Sequence, residues 1–351
     1  MGERQEKFSG TKAVEKRLRF DVTSLERYLR RAIDGFEGPL EVEQFKGGQS
    51  NPTYLLRAGG RRYVLRRKPP GKLLPSAHAV DREHRVLTAL AETSIPVPRT
   101  LCLCTDESVV GTMFFVMEHV EGRVLWESTL PDSSPEERRA IYDAMNAALA
   151  QLHLVDYVAI GLEGYGKPGN YFARQIHRWS RQYRASETNR IDEMERLLGW
   201  LPENVPADDQ TTLVHGDYRL DNMIFHPTEP RILAILDWEL GTLGHPLGDF
   251  TYHCMQWQTP AASGGLEGRD LEALGIPTLE SYVDAYCRRT GRERIENWNF
   301  YRAYNLFRSA AIAQGIAGRV RDGTAASAYA REVAASVPSL AAAAWAAAQR
   351  V

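Results

Sequence analysis

The chain has 351 residues, and its 43 Lys and Arg residues against 45 Asp and Glu residues give a formal charge of −2. Apolar residues make up 43% and charged residues 25% of the sequence, which is ordinary for a soluble globular protein. The balanced charge argues against a general nucleic-acid-binding protein, which needs a basic surface. At roughly 100–200 residues per domain, the length predicts two domains or two lobes.

Targeting and cross-linking signals are weak in this sequence. The first twenty residues are charged throughout and contain no apolar signal core. The longest apolar run, around residues 340–348, is shorter than the roughly 20 residues that span a bilayer. The four cysteines are scattered and are predicted to be reduced packing residues rather than a disulfide or zinc framework. We therefore expect a cytoplasmic protein that binds neither nucleic acid nor membrane.

The first third of the chain has a strand-rich pattern. Residues 1–20 predict a charged tail, and a short helix follows with Thr23 or Ser24 as its cap. The segments LEVEQF, TYLLRA and RRYVLRR predict strands separated by glycine turns. Residues 77–92 predict a helix, and TLCLCT and TMFFVMEHV predict two more strands. This pattern indicates a tail and helix over residues 1–35 and an N-terminal lobe, an antiparallel sheet with one helix, over 36–118.

The rest of the chain is mainly helical. Residues 135–154 predict a helix with acidic residues in its first turn, as the helix dipole favours. Residues 170–186 and 191–198 predict further helices. Short strands return in TTLVHGD, NMIFH and RILAILDWE before a helical region from residue 245 onward. The sequence thus predicts an α+β protein with two lobes, the second spanning residues 119–351.

The segment LVHGDYRLDNMIFHPTEPRILAILDWE, residues 213–239, contains the groups that a magnesium-dependent phosphotransferase needs. Asn222 follows Asp217 by five residues, and Asp237 follows Asn222 by fifteen. One carboxylate can accept the proton of an acceptor hydroxyl, while an amide oxygen and a second carboxylate hold Mg²⁺ against the ATP phosphates. We predict Asp217 as the catalytic base and Asn222 and Asp237 as the metal ligands.

HGDYRLDN, together with LDWE, resembles the aminoglycoside-phosphotransferase-like kinases, whose fold is a variant of the protein-kinase fold. The similarity covers roughly residues 36–310 and includes FKGGQSNPTYLL, FVMEHVEGR and YGKPGNYFARQIHRW. It is greatest to the kinase domains attached to some acyl-CoA dehydrogenases and to their free-standing bacterial relatives. The resemblance implies a bilobed kinase that uses ATP and Mg²⁺. It also implies a hydroxyacyl-CoA or hydroxy acid as the small-molecule acceptor and a functional link to an acyl-CoA dehydrogenase.

Further motifs carry the predicted nucleotide site. A glycine turn between two strands, where backbone N–H groups can approach phosphates, consists of Gly47, Gly48, Gln49, Ser50 and Asn51. Arg66 stands where kinase relatives carry the strand lysine, and Lys68 lies on the same strand face as its alternative. Glu83 is expected to anchor that cation. The backbone of Glu118 and Val120, at the link between the lobes, is expected to bind the adenine edge.

The acceptor site has a weaker signal. Arg174 and Arg178 are spaced by one turn on the predicted helix 170–186, and Lys167 and Tyr171 lie at or just before its start. Such a basic face can hold an anionic acceptor, for example through the phosphates of coenzyme A. A solvated basic face with no ligand explains the same spacing.

Three other functions stay open at this point. An aminoglycoside or other antibiotic kinase would need an acidic cleft for its polycationic acceptor. A catalytically inactive nucleotide-binding scaffold would keep the fold without the reaction. A metal-dependent hydrolase would leave the glycine turn, Arg66 and Glu83 without a role; its ligands would be His215, Asp217, Asp237, His245 and Asp249.

Overall fold

The computed structural model describes residues 9–47, 51–71, 78–324 and 330–351. Three residues of the predicted glycine turn, Gly48, Gln49 and Ser50, lie outside the described residues. In the described residues, six antiparallel strands form the N-terminal sheet in the spatial order β1-β2-β3-β4-β6-β5. They are β1 (Thr11–Lys12), β2 (Glu41–Phe45), β3 (Thr53–Ala58), β4 (Arg61–Arg67), β5 (Thr100–Cys104) and β6 (Phe114–Glu118).

Alternation along the strands gives this sheet two apolar faces. Leu65 packs on one face with the helix α1 (Val22–Ala32), and Val64 packs on the other with the helix α2 (Val80–Leu90). Because side chains alternate along a strand, Arg66 lies on the same face as Val64, towards α2. Strands β3 and β4 are joined by Gly59 and Gly60, whose φ angles of 55° and 72° suit a two-residue hairpin turn.

The N-terminal segment differs from its prediction as a charged tail. Thr11 pairs with Phe45 of β2, and the Thr11 hydroxyl donates a 2.8 Å hydrogen bond to Glu43. The prediction is therefore wrong for β1, because a two-residue edge strand is too short to show any alternation. Helix α1 also begins earlier than expected, since Asp21 rather than Thr23 or Ser24 caps it by accepting hydrogen bonds from two backbone N–H groups.

The second lobe combines helices with two short β-ribbons. One ribbon pairs β7 (Thr212–Val214) with β10 (Thr242–Gly244), and the other pairs β8 (Met223–Phe225) with β9 (Ile232–Ile235). The helices are α3 (Pro135–His153), α4 (Tyr171–Ser186), α5 (Asp192–Glu203), α6 (Pro246–His253), α7 (Leu271–Leu274), α8 (Leu279–Thr290), α9 (Trp298–Arg321), α10 (Ala330–Ala335) and α11 (Val337–Ala348). The loops of the two ribbons carry the predicted catalytic segment, residues 213–239.

Helix α9 is the central helix of this lobe and packs against α4, α6 and α11. The alanine-rich α11 lies on α9 and α5, and its buried Ala341 and Ala344 belong to the core of the lobe. Small side chains there allow the close approach of the two helices. Among the helices of the described ranges, none combines the length and the apolar character needed to cross a lipid bilayer.

Candidate active site

The loop that follows β7 is held by its own histidine. His215 is fully buried; its Nε2 donates a 2.9 Å hydrogen bond to the carbonyl oxygen of Leu236, while its Nδ1 accepts one from the backbone N–H of Asp217 at 3.2 Å. Both ring nitrogens are therefore used inside the protein. This arrangement joins the Asp217 loop to the segment that ends at Asp237, so His215 has a structural role.

A buried carboxylate fixes the same loop to α6. The oxygens of Asp249 accept hydrogen bonds from the backbone N–H groups of His215 at 2.7 Å and of Gly216 at 2.9 Å. Burial works against the charge of Asp249, but the hydrogen bond and charge of His153, with those of His215, keep the pKa of this carboxyl below its usual value. Asp249 thus remains ionised and holds the loop in place.

Asp217 has three neighbours that orient its carboxylate. The Tyr252 hydroxyl donates to Oδ1 at 2.7 Å, and Arg219 Nε lies 3.1 Å from the same oxygen. Asn222 Nδ2 donates to Oδ2 at 3.1 Å. A carboxylate offers about four lone-pair positions, so the free position lies on Oδ2. That oxygen can accept the proton of an acceptor hydroxyl.

Tyr252 and Arg219 were missed in the sequence analysis. Arg219 follows Asp217 by two residues, and Tyr252 follows Asp249 by three residues on α6. Residues three apart on a helix lie on the same face. The spacing from Asp249, which already contacts the loop, is the signal that could have identified Tyr252.

The two predicted metal ligands line one cavity. The Asn222 amide nitrogen also donates to the Asp217 carbonyl oxygen at 2.9 Å, so the amide oxygen is left for another partner. Asp237 has a φ of 65°, a left-handed conformation that aspartate tolerates better than most residues. Both side chains line the cavity between the lobes. An amide oxygen and a carboxylate are the hard oxygen donors that Mg²⁺ prefers, so these residues fit that ion.

Arg66 connects the lobes across this cavity. Its Nε donates to Glu83 at 3.0 Å and its Nη2 donates to Asp237 at 2.8 Å. Only 7% of Arg66 and 1% of Glu83 are exposed. Burial raises the pKa of the Glu83 carboxyl above its usual value, and the charge of Arg66 offsets only part of this rise. Lys68 points elsewhere, since its Nζ lies 3.9 Å from Asp81, so Arg66 is the strand cation that reaches the cleft.

The cavity between the lobes has a volume of about 720 Å³, within the range of small-molecule sites. Its polar end contains Arg66, Glu83, Asn222 and Asp237, and Gly47 also lines it. Its apolar walls include Val64, Met117, Ile224 and Leu236, next to the link residues Glu118 and Val120. An apolar slot with a cationic and carboxylate end offers the kinds of contact that a magnesium nucleotide would need.

Asn51, the last residue of the predicted glycine turn, has both atoms of its side-chain amide engaged within the protein. It is 1% exposed, its Nδ2 donates to Glu239 at 3.2 Å, and its Oδ1 lies 3.0 Å from His78 Nδ1. These bonds link the end of the glycine turn to the segment that follows Asp237. A contact between Asn51 and ATP therefore stays a prediction.

The four residues predicted to bind the acceptor lie just before α4 or in its first two turns. Arg174 donates to the carbonyl oxygen of Lys167 at 2.5 Å, at the exposed start of α4. Tyr171 is buried among aromatic rings and lies close to Gly244. Arg178 is exposed and lies over the Trp179 ring at 5.0 Å. Among the described residues that line the cavity, none of these four is found, so their contact with an acceptor stays a prediction.

The ligands that a hydrolase would need are used elsewhere. His215 and Asp249 are hydrogen-bonded to the backbone. His245 is 1% exposed, packs against Phe172 and Tyr301, and caps α6; burial lowers its pKa to about 4. In the described ranges, no three His, Cys, Asp or Glu side chains are grouped as a metal site. The contacts of His215, His245 and Asp249 identify them as structural residues.

Comparison with known proteins agrees with this geometry. A family model described as "Phosphotransferase enzyme family" matches residues 41–304, about three quarters of the chain. A crystal structure from Ralstonia eutropha, described as a candidate aminoglycoside phosphotransferase, is 53% identical with a TM-score of 0.87 and covers 95% of this chain and 99% of its own. A thermostable mutant of aminoglycoside phosphotransferase APH(4)-Ia, in complex with ADP and hygromycin B, has a TM-score of 0.60 at 15% identity, and covers 92% and 98% of the two chains.

A further relative is the Mus musculus protein named acyl-CoA dehydrogenase family member 10. It is 47% identical over 339 residues, which is 95% of this chain but 32% of that protein. The chain therefore spans about a third of the length of this relative. The α+β bilobed, protein-kinase-like fold that the sequence resemblance implied is confirmed by the structural neighbours. From the family match and the Ralstonia structure together, the chain belongs to the phosphotransferase enzyme family.

Proposed function

We propose that this phosphotransferase is an ATP- and Mg²⁺-dependent kinase that phosphorylates a hydroxyl group of a small molecule. The observation that carries the proposal is that Asn222, hydrogen-bonded to Asp217, and Asp237, paired with Arg66, line one cavity between the lobes. A base, two oxygen ligands for a metal and a phosphate-binding cation are the parts that phosphoryl transfer needs.

Each residue of the site has a separate role in the proposed reaction. Asp217 Oδ2 accepts the proton of the acceptor hydroxyl, and Asn222 holds that oxygen in place. Arg66 offers its fork of donors to phosphate oxygens, and the apolar walls around Val64 and Leu236 exclude water from the adenine side. Bound Mg²⁺ supplies charge neutralisation for the transferred phosphoryl group. Catalysis is then positioning and electrostatic stabilisation rather than covalent chemistry.

We propose a hydroxyacyl-CoA or a related hydroxy acid as the acceptor. Support comes from the relative named for acyl-CoA dehydrogenase and from the arginines on α4, Arg174 and Arg178. A polycationic aminoglycoside would be repelled by these arginines, although two structural neighbours have aminoglycoside phosphotransferase in their descriptions. A functional link to an acyl-CoA dehydrogenase is part of the same proposal.

The first test is a thermal melt with and without saturating Mg·ATP. Ligand at about 100 times its Kd adds roughly 2.7 kcal/mol to the free energy of unfolding, which raises the melting temperature of the wild type by several degrees. Asp237→Ala is expected to lose most of this shift because a metal ligand is gone. Asp322→Ala is the matched control, since that carboxylate is exposed at the end of α9 and pairs with Arg321. A wild type that no nucleotide stabilises would contradict the proposal.

The acceptor is tested by comparing phosphate transfer to a 4-hydroxyacyl-CoA with transfer to kanamycin. We expect the acyl-CoA to have the higher kcat/KM. Kanamycin as the far better acceptor would instead establish an antibiotic kinase. Mg·ATP binding without transfer to either, together with no turnover of ATP, would identify the inactive scaffold.

A further inference from the structure

A buried arginine on α9 contacts the backbone of the loop that carries Asp217. Arg308 is 7% exposed, and its Nη2 donates a 2.7 Å hydrogen bond to the carbonyl oxygen of Gly216, the residue before Asp217. Within residues 9–47, 51–71, 78–324 and 330–351, Gly216 is the only hydrogen-bond acceptor for Arg308, and no carboxylate oxygen lies within 4.0 Å of its nitrogens. A guanidinium has five N–H donors, so most of its donor capacity is unused.

Aromatic rings hold this guanidinium in place without neutralising its charge. Its central carbon lies 4.9 Å from the centre of the Tyr252 ring and 5.8 Å from the centre of the Trp179 ring. Cation–π contacts of this length stabilise a cation. They leave the positive charge itself free to attract an anion. Burial of a cation without a carboxylate partner is otherwise unfavourable.

The same contacts connect Arg308 to the catalytic base and to α4. The Tyr252 hydroxyl donates to Asp217 Oδ1 at 2.7 Å, and Arg178 lies over the other neighbour, Trp179, at 5.0 Å. We call Arg178, Trp179, Arg308 and Tyr252 the arginine–aromatic series. It begins at the exposed surface of α4 and ends at Asp217. Its two cations, Arg178 and Arg308, are separated by the indole ring of Trp179.

We propose that the arginine–aromatic series is the acceptor subsite, and that Arg308 binds an anionic oxygen group of the acceptor. The inference rests on the proposed kinase function and adds a specificity-determining residue to it. Two groups have this chemistry, the carboxylate of a free hydroxy acid and a phosphate of coenzyme A. The planar fork of arginine matches either of them with two parallel hydrogen bonds.

The test compares acceptors with the same hydroxyl and different charge. Four acceptors are used: a 4-hydroxy acid, its coenzyme A thioester, its uncharged pantetheine thioester and the corresponding neutral diol. Each is assayed with wild type, Arg308→Gln, Arg308→Lys and the control Arg319→Gln. Arg319 is exposed on the same helix, about three turns further along. Binding of Mg·ADP is measured for every variant by titration calorimetry, and folding is checked by thermal melting.

In Arg308→Gln, we expect the KM of the charged acceptors to rise at least tenfold, equivalent to about 1.4 kcal/mol. The KM of the uncharged acceptors should change less than twofold, and Mg·ADP should bind as to the wild type. Arg308→Lys keeps the charge and is expected to recover part of the affinity, which also covers the case in which Arg308→Gln does not fold. A rise for the acid alone identifies the carboxylate, and a rise for the thioester alone identifies the coenzyme A phosphates.

If Arg308→Gln raised the KM of charged and uncharged acceptors equally, the inference would be overturned. An unchanged KM for the charged acceptors in Arg308→Gln would also overturn it. Transfer by the wild type to kanamycin but to none of the acyl acceptors would also overturn it, while leaving the kinase proposal intact. If the wild type binds no magnesium nucleotide, the proposed function fails first, and this result is distinguishable because the calorimetric titration precedes the assays.

Discussion

Asp217 owes its orientation to donors from three directions. Asn222 and Arg219 come from its own loop, and Tyr252 comes from α6. Hydrogen bonds to a charged group are worth about 1.5–3 kcal/mol each, so these contacts restrict the carboxylate to one rotamer. Because Oδ1 is saturated by two donors, the direction from which the acceptor hydroxyl approaches is decided by these side chains.

Tyr252→Phe is expected to lower kcat about tenfold, equivalent to about 1.4 kcal/mol, because Asp217 loses the donor that holds Oδ1. The affinity for Mg·ATP should stay unchanged, since Tyr252 is on the acceptor side. Steady-state kinetics and a nucleotide titration measure both quantities. Tyr142→Phe is the control, because its hydroxyl makes a comparable 2.6 Å bond to the Ser128 carbonyl outside the catalytic loop. An unchanged kcat in Tyr252→Phe would show that the bond does not position Asp217.

Arg66→Met is expected to reduce the free energy of unfolding by about 3–5 kcal/mol, because the buried Glu83 then has no opposite charge. Urea unfolding measures this loss. Arg62→Met is the control on the same strand, where the partner Glu121 is 71% exposed, and a surface pair contributes about 0–1 kcal/mol. Adding Glu83→Gln to Arg66→Met should recover part of the loss. A double variant less stable than the single one would contradict the explanation by an unpaired charge.

At the scale of secondary-structure elements, the site is built on two short β-ribbons and the helix α6. The ribbons β7–β10 and β8–β9 each pair only three or four residues, which is too little to hold a catalytic loop by itself. The additional support comes from α6, whose Asp249 accepts two backbone hydrogen bonds from the loop. The orientation of α6 therefore determines where Asp217 lies.

Asp249→Asn is expected to destabilise the protein by about 1–3 kcal/mol and to lower kcat strongly. An asparagine amide can accept one of the two backbone hydrogen bonds, but its NH₂ group faces the second N–H donor, which is left without an acceptor. Thermal melting and steady-state kinetics measure the two effects. Asp143→Asn is the control, since Asp143 is largely exposed and pairs with Arg289 on the surface. Wild-type kcat in Asp249→Asn would exclude this role in holding the loop.

At the scale of the whole molecule, buried histidines couple stability to pH. His253 is 4% exposed, with Nε2 2.8 Å from the Tyr282 hydroxyl and Nδ1 3.2 Å from the Tyr218 carbonyl oxygen. Burial lowers the pKa of His253 and of His245 to about 4 from the usual 6.5. Between these values the unfolded chain binds more protons than the folded one. The free energy of unfolding therefore falls as the pH decreases through this window.

We expect full stability above about pH 6.5 and a loss approaching 1 kcal/mol per pH unit for each histidine below it. Urea unfolding at pH 7.5, 6.5, 5.5 and 4.5 measures this dependence. His253→Gln should reduce the slope of the free energy of unfolding against pH between pH 6.5 and 4.5. The control His226→Gln should leave this slope as in the wild type. His226 is part of the β8–β9 loop and is only partly buried. A free energy of unfolding that is constant down to pH 4.5 would contradict the assignment of these histidines as neutral.

Features that depend on neighbours in the chain were accessible to sequence analysis. The period of the apolar residues predicted the strands up to residue 118 and the helix over residues 135–154, and the structure has α3 at Pro135–His153. The spacing of Asp217, Asn222 and Asp237 identified the candidate site because a loop and a ribbon of fixed length connect these residues. The face of β4 that carries Arg66 also followed from simple alternation.

Contacts between segments that are distant in the sequence could not be predicted from local sequence patterns. Arg66 and Asp237 are 171 residues apart, and Asn51 and Glu239 are 188 residues apart. The two-residue strand β1 depends on its pairing with β2, so no local pattern marks it. Propensity and periodicity describe only a few turns of chain, whereas these contacts depend on how the lobes and helices pack.

The sequence alone thus determined the class of fold, and it predicts a lobe boundary near residue 118 and the residues suited to bind a metal and accept a proton. Only the tertiary structure decided that Arg66 rather than Lys68 enters the cleft, that Tyr252 orients Asp217, and that Arg308 lies under the catalytic loop, 92 residues from its partner Gly216. The physical reason is that residue type and spacing define which chemistry a segment can perform. Packing of helices α4, α6 and α9 defines which side chains surround it.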